Sequence, residues 1–448
     1  MKFGLNITIG AALLGVASVA AALPASADAQ LLLEADSGRV LHAENATYPW
    51  YPASLTKLMT LYVTLQAVRE RRLSAETLIT VTSRAATQAP AKMGFAAGTQ
   101  VTLDNALKML MVRSANDVAV TIAEGVSGSV EQFSDDMNRA AYRLGMVQSS
   151  FVNPNGLPAD NQISSARDLG ILARALIRDF PEYAYYWHIP AIRFGKRVTR
   201  NYNKLMGRYP GADGMKTGYI CASGFNLVAT ATRNGKQLIA VVLGAPSSNI
   251  RAEKAAQLLE RGFNGDGLSW LRPSLGTIDA LVPIAAAPPN LRDEMCSPQR
   301  KKPASESEDE SEADVVASNA ARDGGAPMSL QQAAPKFSFA ALPTMPAEPI
   351  NVFVGAPKQP TRVASGAAPG AKPVAVTPVP GASGKPADIK PGAVSPVWTP
   401  LTPTPMANTP APTMSNVLSG TPAVVPLPRP RPVIKPKPQA AKPAQPPS

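Results

Sequence analysis

Proline sets the first limit on this chain. Of its 45 prolines, 10 lie before residue 270 and 35 after it, and a residue with a fixed φ and no backbone N–H is excluded from helix interiors and central strands. Residues 269–448 therefore read as a Pro/Ala-rich tail, extended or disordered, carrying the acidic run "SESEDESEAD" and ending in the basic "PLPRPRPVIKPKPQAAKPAQPPS". One compact domain, residues 30–268, is expected from the rest.

The N-terminus, "MKFGLNITIGAALLGVASVAAALPASADA", has a lysine, an apolar run and small residues ending in Ala25-Ser26-Ala27 and Ala27-Asp28-Ala29. That is the pattern of a secretory signal peptide over residues 1–29, cleaved after Ala27 or Ala29. An uncleaved anchor is the alternative, but the apolar run is shorter than the ~20 residues that cross a bilayer. The mature protein is expected to be secreted, periplasmic or held in the cell envelope. In that oxidising setting Cys221 and Cys296 are read as two separate thiols, with a disulfide as the less favoured choice because Cys296 lies where the domain ends.

A net charge of +12 suggests attraction to anionic surfaces. No zinc-ligand spacing, aromatic-studded basic strand or phosphate-binding glycine loop accompanies it, so nucleic acid is not an expected partner. Contact of the basic tail with wall or membrane surface is the functional reading of that segment, and a plain spacer the equal alternative.

Within the domain, "LLLEADSGRV" (31–40) alternates around Asp36-Ser37-Gly38 as strand, turn and strand. Leu55, Leu58, Met59, Tyr62 and Leu65 recur at helical spacing after Pro52. Helical patterns continue through Leu103–Val126, Val130–Met146 and Ser164–Phe180, broken by "NPNGLP". The runs "FNLVATAT" and "LIAVVL" flank Arg233-Asn234-Gly235-Lys236, a strong hairpin signal, and "RAEKAAQLLERGF" returns to helix. Strands at both ends with helices between them predict an α+β fold, helices packed on an antiparallel sheet.

The chemistry is narrowed by scarcity. His42 and His188 are the only histidines, and neither has the neighbours that a Ser-His-Asp triad or a zinc peptidase needs, so both are read as structural or surface residues. In "ASLTKLM", Ser54 and Lys57 stand at i and i+3 near a helix start, their Cβ atoms ~5–6 Å apart, so the amine reaches the hydroxyl. Lysine acts as a base only when neutral, which burial or a nearby cation promotes. The pair alone is weak, since chance supplies it. Two later signals add weight: Ser114 and Asn116 in "RSANDVAV", a hydroxyl to relay a proton and an amide to orient the lysine, and Lys216, Thr217 and Gly218 in "MKTGYICASGF", a cation and hydroxyl for an acidic group beside a residue that admits close backbone approach.

The order "SLTK", "SAN", "KTG" resembles the penicillin-recognising serine enzymes. "PASLTKLMT", "RSANDVAV", "FVNPNGLP" followed by "SSARDLGILARAL", and "GMKTGY" resemble the D-alanyl-D-alanine carboxypeptidases among the low-molecular-mass penicillin-binding proteins, over about Leu31 to Phe263. The resemblance implies a β-lactamase/DD-peptidase-like fold and trimming of the terminal D-alanine from peptidoglycan stem pentapeptides, with β-lactams as covalent inhibitors and no cofactor or metal. Ser54 would be the nucleophile, Lys57 its base, Ser114 the proton relay, and Asn116 would position Lys57 and the substrate amide. The N–H groups of Ser54 and Tyr219 would form the oxyanion hole. Lys216 and Thr217 would bind the terminal carboxylate, assisted by Arg251, and Gly218 would let the substrate backbone lie against its strand.

Two departures stand out. Alanine occupies the middle of "SAN" where the family more often has glycine, and the tail matches neither a second β-rich domain nor a C-terminal amphipathic helix. A DD-endopeptidase cutting peptidoglycan crosslinks is the near alternative, and a non-enzymatic wall-binding scaffold the distant one. A β-lactamase is disfavoured, because "NPNGLP" stands where its deacylating glutamate would be.

Overall fold

The apolar runs from the two ends of the domain meet in a single sheet. The computed structural model describes residues 28–265, 274–297 and 339–356. Nearly all of the expected signal peptide, and the basic tail with its surface contact, lie outside the described residues.

Along the chain, β1 (Ala29–Glu34), β2 (Val40–Glu44) and β3 (Pro49–Trp50) lead through a 3-10 turn at Ala53–Leu55 into α1 (Thr56–Arg69). A small ribbon, β4 (Leu78–Thr80) with β5 (Gln100–Thr102), brackets α2 (Ser83–Ala86). Next come α3 (Leu103–Val112), α4 (Asn116–Ser127), α5 (Val130–Leu144), β6 (Ser164–Ser165), α6 (Ala166–Asp179) and α7 (Tyr185–His188). The hairpin of β7 (Ala191–Phe194) and β8 (Arg197–Arg200) precedes β9 (Ala212–Ile220), β10 (Gly224–Arg233), β11 (Lys236–Ala245) and α8 (Ser248–Asn264). Beyond these lie α9 (Arg292–Cys296) and β12 (Ile350–Val352).

Side chains set many of these boundaries. The hydroxyls of Thr102, Ser129, Ser165 and Ser247 accept from the N–H three residues on and so start α3, α5, α6 and α8. Gly128 and Gly145, at φ +83 and +75, end α4 and α5 in the left-handed conformation.

The five-stranded sheet runs β2-β1-β11-β10-β9, antiparallel throughout. Asn234 and Gly235, both at positive φ, make the expected tight turn between β10 and β11. Because both faces are covered, the strands read as continuous apolar runs rather than alternating ones. Leu31, Leu33, Val228, Ile239 and Val241 pack into the large core with α1 and the helices around it. Leu32, Leu227, Leu238, Ala240 and Val242 pack on the other face against Leu258 and Leu259 of α8. α1 crosses the interior, buried on nearly every side, Lys57 included.

Three expectations require correction. The helical run Leu103–Val126 is broken between α3 and α4, where Ser114 adopts φ +58, a conformation that a serine holds only under surrounding constraint. Cys221 and Cys296 are not separate thiols but a disulfide, Cα atoms 5.7 Å apart; the chain after residue 268 returns to the domain. The boundary drawn at 268 also falls short. Ile278, Leu291, Met295, Phe339 and Val352 are buried against the domain, and β12 adds in parallel to β7. Single apolar residues spaced among prolines carry no periodic pattern, so nothing in the sequence marked them.

Candidate active site

The 3-10 turn that opens α1 is clamped from three directions. From β10, Asn226 donates through Nδ2 to Tyr51 O at 3.0 Å while its Oδ1 accepts from Gly244 N–H at 3.0 Å. Trp50 Nε1 donates to Ser223 O at 3.0 Å. From β9, Gly218 lies so close that a Cβ there would be 2.8 Å from Ser54 N and 3.1 Å from Pro52 O. Ala53, at φ +49, turns the chain between these clamps and presents Ser54 at the head of the helix.

Ser54 Oγ and Lys57 Nζ are 2.9 Å apart. Lys57 is fully buried, and its Nζ also donates to Asn116 Oδ1 at 2.7 Å and to Asn155 O at 2.6 Å. Asn116, first residue of α4, is held in turn by Nδ2 on Ala89 O and Pro90 O at 2.9 and 3.1 Å, and by its N–H on Ala91 O. The "NPNGLP" loop bearing Asn155 is tied down by Thr60 Oγ1 on Pro154 O at 2.6 Å and by Gln162, whose Oε1 accepts from Val152 and Asn153 and whose Nε2 donates to Thr56 Oγ1.

These groups border a cleft of about 340 Å³ that Ser54, Ser114, Asn116, Asn155, Tyr219 and Arg292 help to line. Ser114 Oγ is buried and without a hydrogen-bond partner among the described residues, as is Thr217 Oγ1. An unpaired buried hydroxyl costs ~1–3 kcal/mol and is characteristic of sites completed by a ligand. Lys216 is buried, with Nζ donating to Thr217 O at 2.9 Å.

The structure thus gathers Ser54, Lys57, Ser114, Asn116 and Tyr219 around one cleft, with Lys216, Thr217 and Gly218 on the adjoining edge strand. Arg251 stands apart. It is 1 % exposed, with Nη atoms on Asn226 O and Tyr202 O at 3.2 and 3.3 Å, behind the cleft rather than among the residues lining it. Neither histidine lines the cleft; burial pushes both imidazoles below their ordinary pKa, aided by Arg261 at His42 and opposed by Asp213 at His188.

Three residues escaped sequence reasoning. Asn155 acts through a carbonyl, which every residue has. Asn226 did leave a signal, as a polar interruption in the apolar run of β10. Arg292 lies in the Pro-rich region assigned to the tail.

A serine joined to a buried lysine at the start of a helix, faced by a Ser-x-Asn turn and a Lys-Thr-Gly edge strand, defines the active-site-serine class of penicillin-recognising proteins. The chain belongs to the Peptidase S11 family, D-alanyl-D-alanine carboxypeptidase, whose profile matches residues 16–247. It is 38 % identical over 244 residues to D-alanyl-D-alanine carboxypeptidase DacC of Escherichia coli, spanning 53 % of this chain and 61 % of that protein. To DacB2 of Mycobacterium tuberculosis it is 30 % identical over 246 residues, 52 % of this chain and 81 % of that one. Among solved structures, penicillin binding protein 5 of Haemophilus influenzae superposes with a TM-score of 0.51 at 35 % identity, covering 53 % of this chain and 70 % of that chain. DacD of Francisella tularensis gives 0.52 at 29 % identity, covering 54 % and 71 %. The chain thus spans about three-fifths of the length of the first curated relatives it matches.

Proposed function

We propose that this chain is a serine-type D-alanyl-D-alanine carboxypeptidase that removes the terminal D-alanine from peptidoglycan stem pentapeptides and is acylated by β-lactams. The observation that carries this reading is the contact of Ser54 Oγ with the Nζ of a fully buried lysine. Burial disfavours the ammonium form. Asn116 Oδ1 and Asn155 O hold Nζ beside the Ser54 hydroxyl, where a neutral amine can accept the hydroxyl proton.

In the first half-reaction Ser54 Oγ attacks the carbonyl carbon of the penultimate D-alanine and passes its proton to Lys57. The oxyanion is met by the N–H groups of Ser54 and Tyr219, each such donor contributing ~2.7–4 kcal/mol to the barrier reduction. Ser114, unpaired and lining the cleft, relays a proton to the leaving amine as the C–N bond breaks. Water then attacks the ester and gives a proton to Lys57, which returns it to Ser54 Oγ as the C–O bond breaks, and the shortened peptide leaves with a new carboxylate. Lys216 and Thr217 hold the terminal carboxylate. Arg251, fixed on the carbonyls of Tyr202 and Asn226, is read as a positioning residue that braces β10.

No glutamate or aspartate is among the described residues lining the cleft, which supports slow release of a bound penicilloyl group. Secretion is part of the same reading, with cleavage after Ala27. Asp28 pairs with Lys254 and accepts from Asn45 through its backbone carbonyl at 3.0 Å, and Ala29 is registered against Leu243, so removal of either residue would strip contacts from β1. N-terminal sequencing of the mature protein checks the site.

Fluorescent penicillin labelling of wild type and Ser54→Ala, with mass spectrometry of pentapeptide and muropeptide products, tests the assignment. Label on wild type alone and loss of one alanine are expected. Separation of crosslinked dimers would make the enzyme an endopeptidase, and absence of label would leave a scaffold.

A further inference from the structure

Among the described residues lining the cleft, the one charged side chain belongs to Arg292, which lies outside the 16–247 region shared with the family. Its position is not a loose approach of a surface loop. Leu291 N–H donates to Ala222 O at 3.0 Å, Leu291 and Met295 are buried at 4 % and 2 % exposure, and Cys296 is bonded to Cys221 directly after β9. Three anchors within six residues fix the turn that carries Arg292, while the arginine itself is exposed and its guanidinium has no ion-pair or hydrogen-bond partner among the described residues.

The direction of the edge strand tells which part of a substrate meets it. β9 is the last strand of the sheet, with Gly218 against Ser54 N and Ile220 and Cys221 at its C-terminal end. A peptide whose terminal carboxylate sits at Lys216 and Thr217, and whose scissile carbonyl sits at Ser54, runs antiparallel to β9. Its earlier residues then proceed toward Ile220 and Cys221 at ~3.3 Å per residue. The residue just before D-alanyl-D-alanine arrives beside Cys221, where Arg292 borders the cleft.

We propose that Arg292 is a specificity residue that binds a free carboxylate on the side chain of that preceding substrate residue. This rests on the carboxypeptidase reading above. Guanidinium and carboxylate form a charge-assisted, bidentate pair, and at an exposed position such a pair yields a modest, salt-sensitive preference.

The test compares two N-acetylated tripeptides, X-D-Ala-D-Ala, in which X is α-aminopimelate with its ω-carboxylate free or converted to the carboxamide. Wild type is expected to show about two- to fivefold higher kcat/KM on the carboxylate peptide, shrinking as salt rises. Arg292→Ala should bring the ratio to one, Arg292→Lys should keep part of it, and Arg292→Glu should invert it. Both peptides are measured on the same preparation, so a partly unfolded variant leaves the ratio unaffected. Equal rates in wild type, or a preference that survives Arg292→Ala, overturn the inference while D-alanine release still upholds the underlying activity. No release from either peptide, together with no penicillin acylation, removes that activity and this inference with it.

Discussion

Gly156 lies against the turn that presents Ser54 with no room for a side chain: a Cβ on it would fall 1.8 Å from Ala53 O and 3.0 Å from Ser54 N. Its φ of +81 is itself a conformation that glycine adopts freely. Gly156→Ala must therefore push the "NPNGLP" loop and the Ser54 turn apart, and a misplacement of about 1 Å at a reacting group costs about 100-fold. Penicillin acylation should slow by that order while far-UV circular dichroism stays native. Acylation at the wild-type rate would show that the loop withdraws without moving Ser54.

Asn116→Ala removes an acceptor from Lys57 Nζ and leaves Ala89 O and Pro90 O without their donor. A loss of ~10²–10³ in kcat/KM on a pentapeptide is expected. Unfolding should become easier by only ~1–3 kcal/mol, the cost of stranding buried polar groups. Steady-state kinetics beside urea denaturation separates the two effects.

Glu34 and Arg39 supply an acid-sensitive element beside the β1–β2 turn. The hydrogen bond from Arg39 holds the Glu34 carboxyl down at about 2, against the opposing effect of burial. A depressed carboxylate stabilises the fold fully above its ordinary pKa, and that stabilisation is lost as pH falls from 4.5 to about 2. With Arg39 half exposed to solvent, Glu34→Gln should cost about 1 kcal/mol at pH 7. Melting curves of variant and wild type should converge as pH approaches 2; a constant gap would assign the loss to packing instead.

The Cys221 and Cys296 bridge closes a loop with a sequence separation of 75 residues. Cys296→Ser should lower stability by ~2–4 kcal/mol, chiefly by freeing the unfolded chain. The same variant should weaken the preference for a carboxylate-bearing peptide, because one of the three anchors of the Arg292 turn is lost. Thermal melting with and without dithiothreitol, in wild type and variant, reads the first effect.

Phe339 stacks under Arg208, 4.7 Å from guanidinium carbon to ring centre, and is 3 % exposed against the α8 side of the sheet. Phe339→Ala should destabilise the domain by about 3 kcal/mol, at the lower end for a buried aromatic. An unchanged melting temperature would return residue 339 to the tail.

Much of this molecule was legible before any coordinates. The Asn234-Gly235 turn, the apolar runs of β10 and β11 and the helical spacing from Leu55 to Leu65 are local patterns, and local patterns report local structure. The Ser-x-x-Lys, Ser-x-Asn and Lys-Thr-Gly order carried the resemblance to the family, because three short motifs in that order are rarely met by chance. Tertiary structure decided what depends on closure over long separations. Only folding brings the carbonyl of Asn155 to Lys57, 98 residues away. It alone turns Arg251 inward onto backbone carbonyls and ties Cys296 back to β9. Backbone carbonyls carry no residue code, and isolated apolar anchors among prolines carry no period. Sequence could therefore name the candidate groups, while the packed chain determined what holds them and what else reaches the cleft.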